Sequence, residues 1–394
     1  MAARRILFVA CLNFVTIGLL SAAVGPLLPA LARQTGSPLG AVGALISALF
    51  AGALIAQVIG GPLNDRLGAR PVLVAGLALV AAGAAGIATS QALALTLLGG
   101  VVAGVGHGAI DLGTSVLVAV TFARRSVVAL NLLNVFFGLG AAAGPAVVSF
   151  ALDHWGTPLP ALWLIVTLAV ALVPLLLWLP LPPPATETPS TERAALAIYR
   201  APLLWLLAGL VLLYVGLENG LGGWVAVYVQ RSTALPLDKG ALVASVFWGA
   251  LTAGRLVAAI AGARLAALTS RTLLLASVAT ALLGTLALAA GAGNAGATVA
   301  AVALIGLGFG PIFPTVMAIT TSAFPASPGR AVGVAQTAGS IGGIVIPWLL
   351  GLVLLGFGPH SGALFVMLGA LGLLAAAWLA LRRAGARSLA PARP

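Results

Sequence analysis

The sequence predicts an all-α membrane protein, with twelve transmembrane helices in two pseudo-symmetric six-helix halves. Three observations carry this. Apolar runs of ~20 residues recur from end to end, each long enough to cross a hydrocarbon core. Residues are 61% hydrophobic and only 7% charged, against about 25% charged in a soluble domain. The chain also repeats itself at half its length. Asn134, Gly140 and Pro145 are matched 202 residues later by Gln336, Gly342 and Pro347. The same shift lays Gly104 and Gly106 on Gly306 and Gly308, and Gly18 on Gly220.

The apolar runs are continuous rather than alternating. Lipid leaves no backbone polar group a water partner, so a run of that kind must close its hydrogen bonds within a helix. The 50 glycines suit such a bundle, because small residues let helices approach closely in lipid. Read in order, the spans fall at 6–30, 40–62, 71–89, 94–122, 127–152, 159–180, 203–229, 240–262, 272–291, 296–323, 330–355 and 361–382. Charged or proline-containing breaks separate them, such as Gln34–Pro38, Asp65–Pro71 and Arg124-Arg125. The chain divides into a first half (1–180), a linker (181–201) and a second half (202–394). The linker is the only long polar segment, and its prolines, threonines and glutamates predict a flexible, partly extended connection.

A net charge of +12 could suggest a nucleic-acid partner, but the placement of the charge excludes it. Fifteen basic residues fall on the side of the termini: Arg4, Arg5, Arg66, Arg70, Arg124, Arg125, Arg193, Arg200, Arg264, Arg271, Arg330, Arg382, Arg383, Arg387 and Arg393. Three fall opposite, Arg33, Arg231 and Lys239, and Arg255 lies within a span. By the positive-inside rule, both termini and the linker are cytoplasmic and the expected location is the inner membrane. A single cysteine, Cys11, excludes an intrachain disulfide framework. Arg4-Arg5 ahead of an apolar run could open a signal peptide, but the run is long and lacks a convincing cleavage site, so it is read as an uncleaved first span.

The loop after span 2 reads Gly61-Pro-Leu-Asn-Asp65-Arg66-Leu-Gly68-Ala-Arg70. Gly68 permits a tight turn between two helices. Asp65 is placed to face the N-terminus of a helix in the other half, where the macrodipole favours an anion. The corresponding loop of the second half keeps only Gly262, Arg264 and Arg271, so any such latch is one-sided.

Polar residues inside spans are costly and mark function by default. Span 4 carries His107 and Asp111, four residues apart and on one helix face; the repeat has Phe309 and Phe313 there. Span 7 carries Tyr214 one turn before Glu218, then Asn219, Gly220, Gly222, Gly223, Trp224 and Tyr228. The glycines weaken helix propensity, as expected of a span that bends around a cavity. Trp224 and Tyr228 also fit an interfacial aromatic belt. Span 5 carries Asn131 and Asn134 on one face, and Gln336 repeats Asn134, which predicts a pseudo-symmetric polar site near the midplane. The alternative for these amides is helix-packing hydrogen bonds. Span 8 carries Phe247 and Trp248 and, nearer the cytoplasm, Arg255, expected at an inner gate bound to carbonyls rather than in the site. Asp111 and Glu218 are the only acidic residues inside the spans. Neither has an evident basic partner at its own depth.

The loop after span 2 resembles the G-x-L-x-D-R-x-G-x-R signature of the major facilitator superfamily at Gly61, Leu63, Asp65, Arg66, Gly68 and Arg70. With twelve spans and a half-length repeat, the resemblance covers the whole chain. It implies the major facilitator fold, a secondary transporter working by alternating access, and a gating role for those loop residues, with the start of span 11 near Arg330 as partner of Asp65. Four softer patterns resemble the fucose–galactose–glucose:proton symporter branch. They are Y-V-G-x-E-x-x-x-G-x-W in span 7, L-N-x-x-x-x-x-F-G-x-G-x-x-x-G-P in span 5, F-W-x-x-x-x-x-G-R in span 8 and G-x-G-x-x-P-I-F-P in span 10. Some members of that branch carry an aspartate in span 1, where this chain has only Asn13, Thr16 and Ser21 as polar residues.

The expected function is therefore proton-coupled symport of a small polar solute, with a sugar the leading candidate. Glu218, Asn219, Trp224, Asn131, Asn134, Gln336, Tyr214 and Trp248 are the candidate substrate residues. Asp111, Glu218 and His107 are the candidates for proton coupling, and Arg255 joins the loop residues in gating. The partners are the solute, protons and the lipid bilayer. No cofactor, metal or nucleic acid is implied, and the chain is expected to act as a monomer. The alternative is a drug or lipid:proton antiporter. Gly140–Pro145 resembles the first part of that group's span 5 motif, but its final glycine pair is Val148-Ser149 here, and its span 4 arginine falls on Gly100. More remote are an intramembrane enzyme and a non-transporting sensor. The chain has no H-E-x-x-H and no paired membrane aspartates, and its linker and tails are too short for a sensor domain.

Overall fold

The computed structural model describes residues 2–122, 126–181, 197–264, 269–291, 293–325 and 328–388. Twelve of its helical segments are long and apolar enough to cross a membrane. Span 1 is Ala2–Thr35 and span 2 Leu39–Leu67. Spans 3 to 6 are Ala69–Thr89, Leu93–Thr121, Ser126–Trp155 and Pro160–Trp178. Spans 7 to 9 are Pro202–Ser232, Leu237–Arg264 and Ser270–Ala290. Span 10 is two helices, Ala295–Phe309 and Ile312–Ala323. Spans 11 and 12 are Pro328–Phe357 and Pro359–Ser388. An even number of spans returns both chain ends to one face, called here the terminus face, with the far face opposite. The polar linker lies largely outside the described residues, as do Arg124 and Arg125.

Most helices are longer than the hydrophobic runs that predicted them, because charged and polar residues at the ends continue the helical hydrogen bonding beyond the apolar stretch. The turns are correspondingly tight. Gly68 ends span 2 and opens span 3 with φ +78° and ψ 171°, a conformation open essentially to glycine alone.

The repeat in sequence is a repeat in packing. Span 1 packs on span 5, span 2 on span 4, and span 3 on spans 4 and 6. In the second half span 7 packs on span 11, span 8 on span 10, and span 9 on spans 10 and 12. The matched glycines lie at matched contacts. Gly104 abuts the Leu49 carbonyl on span 2, and Gly306 the Phe247 carbonyl on span 8. Two further contacts join the halves and are images of one another under the repeat, span 2 on span 11 and span 5 on span 8.

The halves are pressed together toward the far face. Gly25 of span 1 lies against the Gly223 backbone of span 7 with no room for a Cβ. The Trp224 indole fills the space between Gly43 of span 2 and Gly351 of span 11. Toward the middle of the bundle Ser47 Oγ donates to the Ile344 carbonyl, 2.6 Å, and Ser340 Oγ to Gln57 Oε1, 2.9 Å.

The glycines of span 7 do a different job from the one expected. Span 7 runs as one unbroken helix. Its glycines mark close approaches: Gly216 to span 11, Gly222 to the Trp248 ring and Gly223 to span 1. The interruption falls in span 10, at Gly310-Pro311.

Candidate functional site

A narrow void lies between the halves, lined by Ser21 and Val24 of span 1, Ile46, Leu49 and Phe50 of span 2, Asn219 and Gly223 of span 7, and Trp248 of span 8. It has room for about one water. Its polar groups come from both halves. The buried Trp248 Nε1 makes no hydrogen bond among the described residues. Asn219 Nδ2 donates to the Val215 carbonyl of its own helix, 2.9 Å.

On the side of the first half, Ser21 joins the void to span 4. Ser21 Oγ is 2.9 Å from the Ile17 carbonyl and 3.1 Å from His107 Nε2. A serine has one hydroxyl hydrogen. With that hydrogen donated to Ile17, Ser21 accepts from His107 Nε2–H. The neutral imidazole then carries its lone pair on Nδ1, which is buried without a hydrogen bond among the described residues. One turn further toward the terminus face is Asp111, half-buried and without a hydrogen bond or ion pair among the described residues. One turn beyond, Thr114 accepts from Asn13 Nδ2, 3.3 Å. His107, Asp111 and Thr114 thus follow the i, i+4, i+7 stripe of span 4.

On the side of the second half, Glu218 and Arg255 form a buried ion pair, Oε1 to Nη2 3.3 Å. This corrects the expectation that Glu218 has no basic partner. Glu218 is near the middle of span 7, whereas Arg255 lies below the middle of span 8, toward the terminus face. Side chains on a helix lean toward its N-terminus. Spans 7 and 8 run antiparallel, so Arg255 leans up and Glu218 leans down, and a long side chain closes the gap that counting residues suggested. Arg255 Nε also lies 3.3 Å from the Gly310 carbonyl, the carbonyl role expected of it. Tyr214 is buried beside both charges, its hydroxyl without a hydrogen bond of standard geometry among the described residues. Its ring meets Phe309 edge-on, centroids 5.7 Å apart, and stacks near Phe313 at 6.3 Å.

The remaining expected residues lie elsewhere. Trp224 is buried at a helix junction, and its Nε1 donates to the Pro347 carbonyl, 2.9 Å. Tyr228 is buried too, its hydroxyl 3.4 Å from the Leu288 carbonyl, and so is not an interfacial belt residue. Asn134 and Gln336 are each the ninth residue of a 30-residue helix, about 12 Å from its start at 1.5 Å per residue. That places them below the midplane, because the helices overhang the apolar runs. Asn134 donates to its own Leu130 carbonyl, 3.1 Å. It sits one turn below Gly138, which abuts Thr252 of span 8. Gln336 is exposed, one turn below Ser340 on the seam with span 2. The two amides thus lie on two separate seams, and neither lines the central void. The side chains of Asp65 and Asn131, and the surroundings of Gly61, lie outside the described residues. Arg66 is exposed. Arg70 Nη2 donates to the Leu179 carbonyl after span 6, 2.5 Å, so this loop residue binds within its own half.

Sequence reasoning missed Ser21 and Phe50 as lining residues. Ser21 stood out only as a polar residue in an apolar span. Its partner is 86 positions away, and no local spacing reports that. Phe50 carried no signal at all.

This bundle, with a void between two repeated halves, is the architecture of a secondary transporter. The chain matches the family model of the Major Facilitator Superfamily over residues 6–347 and belongs to that superfamily; it is a multi-pass membrane transporter and not an enzyme. A relative, the uncharacterized MFS-type transporter YfkL of Bacillus subtilis (strain 168), is 28% identical over 143 residues, which span 36% of each chain. Among solved structures, a D-xylose-proton symporter superposes with TM-score 0.78 at 15% identity, covering 95% of this chain and 97% of that one. The nucleoside transporter NupG gives 0.77 at 15% identity, covering 96% and 99%. The E. coli fucose:proton symporter FucP gives 0.68 at 17% identity, again covering 96% and 99%. Likeness at these identities speaks to the fold.

Proposed function

We propose that the chain carries a small polar solute, a sugar as first candidate, together with a proton by alternating access. The observation that supports this most is the makeup of the central void. The rings of Phe50 and Trp248 accompany a hydroxyl, an amide and an indole N–H that has no hydrogen bond among the described residues. Aromatic rings cover the apolar face of a hydroxylated ring, and the polar groups take its hydroxyls. The solved neighbours include two proton symporters of sugars, and the span 5, 7, 8 and 10 patterns point the same way. The excess of arginines on the terminus face favours a cytoplasmic terminus face, and the Gly25–Gly223 contact between the halves is then on the outer side.

Asp111 is the favoured proton carrier. Glu218 is held by Arg255, whereas Asp111 has no counter-charge among the described residues. Its i, i+4 neighbour His107 is linked through Ser21 to the lining of the void. In proteoliposomes with an imposed pH gradient, Asp111→Asn is expected to lose proton-driven accumulation while keeping counterflow exchange. Accumulation that survives in Asp111→Asn moves the role to Glu218. Accumulation that survives in both Asp111→Asn and Glu218→Gln rules out proton symport. A thermal-shift screen of sugars, drugs and lipids identifies the solute class, since a ligand of the folded state raises the melting temperature. A response to amphipathic cations alone would favour the antiporter reading.

A further inference from the structure

Span 10 breaks where two prolines remove two donors. Proline has no backbone N–H, so Pro311 leaves the Leu307 carbonyl without its helical partner and Pro314 does the same to the Gly310 carbonyl. Buried carbonyls of this kind must find other partners. The Leu307 carbonyl packs against Gly254 of span 8, a close backbone approach rather than a hydrogen bond. The Gly310 carbonyl receives Arg255 Nε at 3.3 Å. The flanking bonds stay intact, Gly310 N to the Gly306 carbonyl and Thr315 N to the Pro311 carbonyl. The break is therefore confined to the point that span 8 supports.

The same guanidinium holds Glu218 of span 7. Its two contacts use different nitrogens, Nε for span 10 and Nη2 for span 7. A planar guanidinium offers these donors in a fixed fork, so moving one moves the other. The aromatic rings on either side of the break, Phe309 and Phe313, both rest on Tyr214, one turn from Glu218.

We propose that Arg255 is a positioning residue that ties the charge of Glu218 to the break in span 10, and so to the piece Ile312–Ala323 that runs on to the terminus face. When Glu218 is charged, the guanidinium is shared between its carboxylate and the Gly310 carbonyl. When Glu218 is neutral, that anchor is gone, the fork reorients, and the lower piece of span 10 swings relative to the upper. The link deepens the transport reading above, with Asp111 carrying the coupled proton and Glu218 a second group that the same proton path reaches, and it rests on that reading only for the source of the neutralising proton.

The test reads the swing directly. Spin labels are placed at Val120, at the terminus-face end of span 4, and at Ser322, at that of span 10, both exposed. Cys11 is replaced by alanine in this background. Pulsed electron resonance gives the distance distribution at one fixed pH. Glu218→Gln is expected to shift it. Arg255→Gln should give the same shift, and the double variant no more than either alone. Arg255→Lys keeps a charge opposite Glu218 but has one ammonium in place of the fork, so it is expected to shift the distribution partway, and it carries the test if Arg255→Gln does not fold. The proposal is overturned if the arginine variants superpose on the unmutated protein, or if the Arg255→Gln and Glu218→Gln shifts add. A purely structural Arg255 would lower the unfolding temperature and leave the distribution unchanged. Coupled distances in a protein that shows no proton-driven uptake would sink the symport reading and leave the role of Arg255 standing.

Discussion

Glu218 and Arg255 meet at 3.3 Å although they sit at different depths on antiparallel helices, and their side chains are nearly buried, 9% and 13% exposed. Removing one member of such a pair strands the other charge in a low dielectric, at a cost of about 3–5 kcal/mol. Glu218→Gln and Arg255→Gln are each expected to lower stability by about that amount. Replacing both together, Glu218→Gln with Arg255→Gln, should cost clearly less than the sum of the two single changes. Denaturant unfolding in detergent or nanodiscs reads this double-mutant cycle. Additive losses would show that the pair is not coupled.

Gly25 and Gly223 set the closed far face. Gly25→Val puts a branched side chain into a backbone contact, and overpacking of that kind costs about 1–3 kcal/mol. The cost falls only on states in which spans 1 and 7 touch. Spin labels at Arg33 and Arg231, the far-face ends of these spans, should move apart, and transport should slow by about fivefold or more. An unchanged distance would mean that the far face is held elsewhere.

Trp224 is a packing residue in this structure. Trp224→Phe removes the bond to the Pro347 carbonyl, about 1 kcal/mol, and adds the cost of the cavity that the smaller ring leaves, with solute affinity unchanged. A large loss of affinity with stability unchanged would return Trp224 to the substrate site. Trp248→Phe is the contrasting change. Its Nε1 has no hydrogen-bond partner among the described residues to lose, so the stability cost should be that of the smaller ring alone, while solute affinity falls.

Gly68→Ala forces a Cβ onto φ +78° and ψ 171°. Strain there costs about 1–3 kcal/mol, and the loss should appear in the unfolding midpoint. Gln336→Ala, at an exposed seam position, is expected to stay within about 0.5 kcal/mol of the unmutated protein. A drop beyond 2 kcal/mol would show that Gln336 is buried against the other half in a more populated conformation.

The number of spans, their order, the shared face of the termini and the half-length repeat were all legible in the sequence. Each rests on local composition or on a fixed offset. Hydrocarbon forces every apolar run of sufficient length into a helix whatever its neighbours do. The pairing of His107 with Asp111 on one stripe was legible for the same reason, since helical periodicity alone decides it. Which polar groups meet across helices was not. Ser21 finds His107, and Glu218 finds Arg255, because the tilt of Cβ along antiparallel helices shifts side chains by about a turn from their backbone depth. Asn134 and Gln336 kept the symmetry that the repeat gave them but landed on the two seams. A repeat fixes equivalence between halves, whereas rotation of each helix about its axis fixes what it faces. Packing at Gly138 and Gly140 of span 5 and at Gly342 and Gly351 of span 11 constrains those rotations, and only the assembled bundle brings these glycines to their partners.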